Sequence, residues 1–369
     1  MKVPTWRFKP IMASFLATTA ATLALAGSIG ATAPAASANL PQVCSWKPIG
    51  LTGGWQSANA DFFGTTGDPS YCVENGIIYL SGSIDQSTPG GNIFGSLPQG
   101  VRPTSEVDLP VYTLGGTSGT LEIWTDGTML VGSGVNNTAT RFTSLAGISF
   151  PEAGAALTPI PLSGQWVPSG SAPSYVVEGG TVYLTGGASN AAANPNTFFS
   201  QSLPAAMVPD HCVQTNVETF NGDRATAFIA SAMLFATGGI QAANDSVHFT
   251  SLGGIAYPQA DAGWQPLTLQ SAWTAANSGV CVNGAPMYYV RNGIVYLSGA
   301  VTSATQFGGG LIGTLPAAAW PSHTLYLTLD TADGQASLQI SPSGQLTLFD
   351  GPSHPDETSL SGISYQVSS

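Results

Sequence analysis

Charged residues are scarce in this chain of 369 residues. Asp, Glu, Lys and Arg make up 8% of it, against roughly 25% in an ordinary soluble domain. Few Lys, Glu and Arg residues, together with 45 Gly and 26 Pro, disfavour a helical bundle, because Gly and Pro interrupt helices. Hydrophobic residues make up 43%, which is enough to build a packed core. The composition therefore indicates a globular chain of strands and turns.

Basic residues are the rarest charged group, and three of the eight lie near the N-terminus: Lys2, Arg7 and Lys9. They precede an apolar, Ala-rich stretch over residues 11–29, and an A-x-A motif ends at Ala38. This pattern predicts a secretory signal peptide over residues 1–38, in preference to an uncleaved membrane anchor. We expect a secreted, extracellular protein, and the Ala-rich signal suggests a bacterial source.

Cleavage at this site would also change the charge balance. Five of the eight basic residues would remain against all 20 acidic ones, a formal net charge of −15. A surface this acidic repels phosphate backbones and anionic lipid, so neither nucleic acid nor membrane insertion is expected.

Cysteine is also rare, with four residues beyond the predicted signal: Cys44, Cys72, Cys212 and Cys281. In an exported chain an even number predicts two disulfides, with three pairings open. Cys44–Cys72 with Cys212–Cys281 is preferred because it closes the shortest loops. A zinc site is a weaker alternative because no C-x-x-C or H-x-x-x-H pair occurs, and we predict no metal or cofactor.

Three motifs each occur three times, in the same order. A closing motif, T-S-L-x-G-I, starts at residues 143, 250 and 358, which are 107 and 108 residues apart. Upstream of it lie a strand motif ending in Y-L-[ST]-G and a short [ST]-L-P motif. The strand motif spans residues 75–82, 179–186 and 292–299, and the short motif spans 96–98, 202–204 and 314–316.

A period near 107 residues corresponds to a domain rather than to a solenoid repeat. The predicted organisation is a signal peptide (1–38), an N-terminal linker (39–52) and three modules (53–152, 163–258 and 264–369). The joints between modules are short and rich in Pro, Gly and Ala. We therefore expect neighbouring modules to associate within the chain.

Each module is predicted to consist of short antiparallel strands. In the strand motif of module 1, Ile78 and Leu80 point to one face, and Ile77 and Tyr79 to the other. Apolar residues on both faces indicate a strand buried inside a sandwich. The first two residues of the motif, Asn-Gly or Gly-Gly, supply the positive φ of a tight hairpin. The fold class is all-β, with three tandem β-sandwich or jelly-roll modules. A tryptophan near the start of each module is a predicted core anchor: Trp55, Trp166 and Trp273.

The order of motifs resembles the C-terminal receptor-binding domains of phage tail fibres. Those domains share an N-G-x-V-x-L-x-G strand, an L-P-x-G-x-R-P segment, a D-G hairpin and a closing L-x-G-I-x-F strand. Module 1 matches at residues 75–82, 97–103, 126–127 and 145–150. Modules 2 and 3 depart from the pattern, with Val208 and Trp320 where module 1 has Arg102.

The resemblance implies jelly rolls that assemble as trimers and bind cell-surface glycans or proteins. With three modules in one chain, we expect a covalent pseudo-trimer, with beads on a string as the alternative. Aromatic residues found in single modules, and two histidines at related positions, are the candidate ligand-binding residues: Phe62, Phe63, Phe198, Phe199, Trp320, His211 and His323. Each histidine is equally compatible with a structural hydrogen bond.

No catalytic constellation stands out in the sequence. The G-x-S-x-G motif of α/β-hydrolases does not occur. Glu122 and Asp126 share a strand face but would lie roughly 13 Å apart, beyond the reach of a glycosidase pair. We therefore expect a non-enzymatic, lectin-like or adhesin-like recognition protein. A structural component of an extracellular particle or coat, and a hydrolase with a carboxylate site between modules, remain alternatives.

Overall fold

The computed structural model describes most of the chain after residue 43. The described residues are 44–59, 65–132, 138–190, 198–219, 224–230, 233–237, 248–260, 263–276, 284–303, 309–331, 334–349 and 357–367. Strands dominate them, with one short helix, α1 (Thr138–Arg141), and three single 3₁₀ turns: Leu114–Gly116, Ala205–Met207 and Ala317–Ala319. Among these residues, no helix has the length and hydropathy needed to cross a bilayer.

The strands fall into three groups, for which we keep the names modules 1, 2 and 3. Module 1 contains β1 (Lys47–Pro48), β2 (Trp55–Ser57), β3 (Ser70–Glu74), β4 (Ile77–Ser81), β5 (Ser83–Gln86), β6 (Ile93–Ser96), β7 (Val107–Tyr112), β8 (Ser118–Ile123), β9 (Thr128–Gly132), β10 (Thr143–Ser144) and β11 (Ser149–Pro151). Module 2 contains β12 (Thr158–Pro159), β13 (Trp166–Glu178), β14 (Thr181–Asn190), β15 (Phe198–Ser200), β16 (Val213–Glu218), β17 (Arg224–Ala230), β18 (Met233–Thr237), β19 (His248–Ser251) and β20 (Ala256–Pro258). Module 3 contains β21 (Gln265–Pro266), β22 (Thr274–Ala275), β23 (Met287–Arg291), β24 (Ile294–Ser298), β25 (Ala300–Thr302), β26 (Gly310–Thr314), β27 (Leu325–Thr331), β28 (Gly334–Ile340), β29 (Gln345–Phe349), β30 (Thr358–Ser359) and β31 (Ser364–Gln366).

The three groups have the same antiparallel topology. One sheet runs β1-β3-β4-β11 in module 1, β12-β13-β14-β20 in module 2 and β21-β23-β24-β31 in module 3. A second sheet runs β6-β9-β8-β7, β15-β18-β17-β16 and β26-β29-β28-β27. The chain is therefore all-β and antiparallel, which confirms the predicted fold class.

The hairpin turn at the start of each strand motif has the backbone conformation that the sequence predicts. Asn75 and Gly76 have φ of 51° and 75°, and Asn292 has φ of 49°. Gly179 and Gly180, at the same point in module 2, have φ of 56° and 81°. Asn and Gly tolerate this left-handed region best, so these pairs set the register of β3 on β4 and of its two counterparts.

Each module has its own core, and the three tryptophans anchor them. Trp55, Trp166 and Trp273 are all buried, at 6%, 4% and 3% exposure. Each belongs to a different cluster of buried aliphatic and aromatic residues. Their predicted structural role is confirmed.

The two apolar faces of β4 have different partners. Ile78 and Leu80 belong to the core of module 1. Ile77 and Tyr79 belong instead to a cluster shared with modules 2 and 3, which includes Tyr183. Both faces are buried as expected, but one of them packs on other modules rather than on a second sheet of the same sandwich.

The module boundaries extend further toward the N-terminus than the sequence suggested. β1 pairs with β3, although residues 39–52 were expected to form a linker. β12 likewise pairs with β13 from within the expected joint between modules 1 and 2. Strands of two residues have no periodicity, so pattern analysis misses them. The recurring x-P-[IL] at residues 47–49, 158–160 and 265–267 marks their positions.

Cys44 and Cys72 form a disulfide, as preferred from the sequence. The bridge ties the segment before β1 to β3. Cys212 is also disulfide-bonded. Cys281, its expected partner, lies outside the described residues.

Candidate functional site

The three modules meet around a common line, the module axis, where equivalent side chains converge. The hydroxyls of Tyr79 and Tyr183 lie 2.6 Å apart, and Tyr183 is also hydrogen-bonded to Tyr296. The Tyr296 hydroxyl in turn lies 2.5 Å from Thr181 Oγ1. Burial raises the pKa of all three tyrosines, so their hydroxyls stay protonated and serve as hydrogen-bonding groups. One tyrosine from each module thus takes part in a hydrogen-bonded network at the module axis, which we call the tyrosine network.

Further along the axis, the central strands β7, β16 and β27 contact one another pairwise. They are equivalent by register, since their first residues pair with Ile123, Ile229 and Ile340. β7 and β16 each lie at an edge of the second sheet of their module, whereas β27 also pairs with β30 at a single residue, Thr331 with Thr358. The three inter-module interfaces are therefore built from the same strand three times.

Polar contacts join modules 1 and 2, and modules 2 and 3. Asp330 of module 3 accepts hydrogen bonds from Gln214 Nε2 and Thr226 Oγ1 of module 2, both at 2.6 Å. Thr120 Oγ1 of module 1 donates to Glu218 Oε2 of module 2 at 3.0 Å. Burial raises the pKa of Asp330 to about 6, while the two hydrogen bonds act in the opposite direction.

At the equivalent positions of the central strands, the interface between modules 3 and 1 is aromatic. Tyr112, at the register position of Glu218 and Asp330, stacks on Tyr326 with ring centroids 5.3 Å apart. Phe142 and Phe349 pack against both rings. Because the three interfaces differ chemically, side-chain contacts specify which module lies beside which.

A cavity of about 80 Å³, the axial cavity, lies where the closing motifs meet the central strands. It is not sealed from solvent. Its wall includes three equivalent isoleucines and three equivalent central-strand residues: Ile148, Ile255, Ile363, Pro110, Asn216 and Thr328. Asn216 Nδ2 is buried and has no hydrogen-bond partner among the residues that the structure describes. Each module thus contributes an isoleucine and a central-strand residue to the wall of a single cavity.

His323, a candidate binding residue, joins module 3 to module 1. Its Nε2 lies 2.7 Å from Ser81 Oγ, and its Nδ1 lies 2.8 Å from Ser322 Oγ. Burial lowers the pKa of His323, so the ring is neutral at pH 7. Both ring nitrogens have protein partners, which favours the structural interpretation of this residue.

His211 occupies the related position in module 2 and faces module 3. Its ring contacts the edge of Trp264 at a centroid distance of 5.6 Å. Nδ1 is buried, with no hydrogen-bond partner in the described part of the chain, and His211 lines a cavity of about 10 Å³. That space holds no more than a single water, so it leaves no room for a sugar beside His211.

The aromatic candidates have diverse surroundings. Phe199 is fully buried and stacks on Trp166 with centroids 3.8 Å apart, so it belongs to the core of module 2. Trp320 is half-buried, packs on the core of module 3 and donates from Nε1 to the Leu315 carbonyl at 2.9 Å. Phe62, Phe63 and the side chain of Phe198 lie outside the described residues.

An acidic cluster in module 1 was not predicted from the sequence. Glu106, Asp108 and Glu122 each place a carboxylate oxygen within 4.8 Å of the others. Asp108 lies opposite Glu122 across the β7–β8 hairpin, a relationship that only the strand register reveals. Three carboxylates at this spacing can share protons or hold a hard cation. Burial, Glu106 and Glu122 together raise the pKa of Asp108 to about 7.

The raised pKa of Asp108 implies that the free energy of unfolding depends on pH. The folded state holds the Asp108 proton up to about pH 7, whereas the unfolded chain loses it near pH 4, so stability should fall as pH rises between these values. Asp108→Asn should remove the penalty. We expect it to raise the free energy of unfolding at pH 8 by about 1–3 kcal/mol, after allowance for partial solvent screening. Urea denaturation at pH 8 and pH 4 measures the difference, which should vanish at pH 4.

Asp126→Asn is the matched control. The Thr128 backbone amide lowers the pKa of exposed Asp126, so its contribution is present at pH 8 and lost as pH falls. This variant should be slightly less stable than the parent at pH 8, the opposite sign. Equal effects of the two substitutions would contradict the assignment to Asp108.

No protein-family model matches the sequence, and neither a curated protein nor a solved structure is similar enough to match it. The resemblance to phage tail-fibre domains therefore stays a prediction.

Proposed function

We propose that the protein is a secreted, non-enzymatic recognition protein that binds a cell-surface glycan or protein. The axial cavity carries this proposal. Its wall combines apolar and polar residues from all three modules, the mixture typical of ligand-binding sites. A ligand there would contact all three modules at once, so a rigid scaffold would position every contact.

Two further observations support the proposal. The Cys44–Cys72 disulfide suits an oxidising, extracellular compartment. The excess of acidic residues disfavours nucleic acid and anionic lipid as partners, which leaves neutral or basic surfaces. The resemblance of the motifs to receptor-binding domains of tail fibres points to the same class of function.

A glycan array tests this function, with the protein lacking residues 1–38 as the probe. We expect binding to a restricted set of glycans that persists in the presence of EDTA, because the axial cavity presents no cluster of metal ligands in the described part of the chain. The same probe should bind intact cells that carry those glycans.

Other outcomes would replace the proposal. Absence of binding to both glycans and cells, with concentration-dependent self-association, would favour an assembly component. Hydrolysis of a polysaccharide that is lost in Asp108→Asn would favour a hydrolase that uses the acidic cluster.

A further inference from the structure

The two-residue turns at the start of the strand motifs come together at one end of the module axis. They lie at residues 75–76, 179–180 and 292–293, one in each module, and they adjoin a cavity of about 20 Å³ that the tyrosine network also lines. In modules 1 and 3 the turn and the residue after it are the same triplet, Asn-Gly-Ile, whereas module 2 has Gly-Gly-Thr. Two modules thus carry the same dipeptide in the same turn.

An Asn-Gly pair is prone to lose ammonia, because glycine has no side chain to hinder ring closure. The glycine amide nitrogen gives up its hydrogen to solvent and bonds to the asparagine Cγ, while the side-chain nitrogen leaves as ammonia. Water then opens the cyclic imide to give aspartate or isoaspartate. The reaction consumes only water, so its rate depends on how freely the asparagine side chain and the turn can move.

The turn of module 1 has this freedom. Asn75 is exposed, and its side chain makes no hydrogen bond to any residue that the structure describes. A Cβ added to Gly76 would meet no atom within 4 Å, so the space around the attacking residue is open. Within the modules the two Asn-Gly turns are held alike, since the glycine carbonyl accepts from the amide of Glu152 at 2.8 Å in module 1 and of Val367 at 2.9 Å in module 3.

The turn of module 3 is restrained by module 2. Asn292 Nδ2 donates to the Gly179 carbonyl at 3.5 Å, and a Cβ added to Gly179 would lie 2.8 Å from the same nitrogen. The neighbouring Arg291 guanidinium packs against Gly180. The two Asn-Gly turns therefore differ in their contacts with another module, although their sequence and hairpin are the same.

We propose that Asn75 is a site of spontaneous deamidation in the folded protein and that module 2 protects Asn292 from the same reaction. The product adds a carboxylate beside Glu74 and Glu178, which line the same cavity. Isoaspartate also inserts a methylene group into the backbone of a two-residue turn, which disturbs the register of β3 on β4. Ageing is therefore expected to weaken the end of the axis next to the tyrosine network, whatever ligand the protein binds.

Peptide mapping by mass spectrometry tests the inference. The protein lacking residues 1–38 is incubated at mildly alkaline pH, then reduced, unfolded and digested with chymotrypsin. Peptides 72–79 and 290–296 report Asn75 and Asn292 separately, and the Asn-Gly pairs at residues 221 and 283, which lie outside the described residues, fall in other peptides. We expect Asn75 to react about fivefold faster, the equivalent of one hydrogen bond of about 1 kcal/mol at Asn292.

Incubation in guanidinium chloride is the matched control. Both asparagines precede Gly-Ile, so their rates should become nearly equal once the modules are unfolded. Asn75→Gly isolates the effect on stability, because module 2 already has glycine at this point of the turn, with φ of 56°. After long incubation the melting temperature of the parent should fall, and that of Asn75→Gly should fall less.

Three results would overturn the inference. Equal rates in the folded protein, or a faster reaction at Asn292, would show that module 2 gives no protection. A folded protein in which Asn75 does not react, although it reacts in guanidinium chloride, would show that the turn itself prevents the attack.

Discussion

Replacing Gly147 by alanine is expected to lower the free energy of unfolding by about 2–5 kcal/mol. Gly147 lies in the closing motif of module 1 with φ of +76°, a region that costs a non-glycine residue about 1–2 kcal/mol. An added Cβ would also lie 2.6 Å from Leu327 Cδ2 and 3.2 Å from the Ser364 carbonyl oxygen, both in module 3. Overpacking of this kind adds about 1–3 kcal/mol. Urea denaturation followed by tryptophan fluorescence measures the loss.

Gly76→Ala separates the packing effect from backbone strain. Gly76 has φ of +75°, almost the same as Gly147, but an added Cβ would meet no atom within 4 Å. Its substitution should cost only the strain, about 1–2 kcal/mol. Equal losses for Gly76→Ala and Gly147→Ala would mean that module 3 does not pack against the closing motif of module 1.

The equivalent glycines make the same test at the other interfaces. An added Cβ at Gly362 would lie 2.9 Å from Thr215, and one at Gly254 would lie 3.3 Å from Leu109. Each of these contacts reaches the next module around the axis. Since the contacts at Gly147 and Gly362 are shorter than 3.0 Å and the contact at Gly254 is not, Gly147→Ala and Gly362→Ala should each destabilise the protein more than Gly254→Ala.

The second large effect is expected at the tyrosine network. Tyr183→Phe removes the hydroxyl that links Tyr79 to Tyr296. The buried Tyr79 hydroxyl loses its partner at 2.6 Å, while the Tyr296 hydroxyl keeps Thr181. We expect a loss of about 2–3 kcal/mol, because removing one partner exposes the desolvation penalty of those that remain. Tyr71→Phe is the control, since its buried side chain makes no hydrogen bond to another described residue. That variant should change stability by less than about 0.5 kcal/mol. A loss for Tyr183→Phe no larger than the control value would show that the axis is not held by this network.

Sequence patterns predicted the strands and turns of this fold well for a physical reason. Alternating apolar residues, Asn-Gly turns and recurring tryptophans act locally, so their meaning can be read without the neighbouring modules. The tight hairpin at Asn75-Gly76 and the burial of Trp55 both follow from such local signals. The preferred Cys44–Cys72 pairing is likewise a short-range closure.

The contacts between modules could not be predicted in the same way. Tyr79 and Ile77 have the same alternating pattern whether their face packs on a second sheet or on another module. The role of Tyr112, which replaces an acidic residue found at this register in the other modules, becomes visible only when the central strands are aligned. Inter-module geometry depends on how three surfaces fit together, and no single segment encodes it.

The candidate site was the least predictable part. Asn216 belongs to no motif and differs from its counterparts Pro110 and Thr328, so repetition conceals it rather than reveals it. Two histidines and the aromatics found in single modules were predicted to bind ligand because their side chains are chemically distinctive. Yet both ring nitrogens of His323 are hydrogen-bonded to serine hydroxyls, and Phe199 is part of the core of module 2. The candidate site is a cavity lined by residues of all three modules, which is a property of the assembled fold.

Small-angle X-ray scattering on the protein lacking residues 1–38 tests most directly whether the three modules close around one axis. A closed arrangement predicts a radius of gyration of about 20 Å and a compact, single-peaked distance distribution. Three separate modules in a row, each with a radius of gyration of about 13 Å, would instead give about 30 Å and an extended, rod-like profile. That second result would contradict the shared axis, the tyrosine network and the axial cavity together.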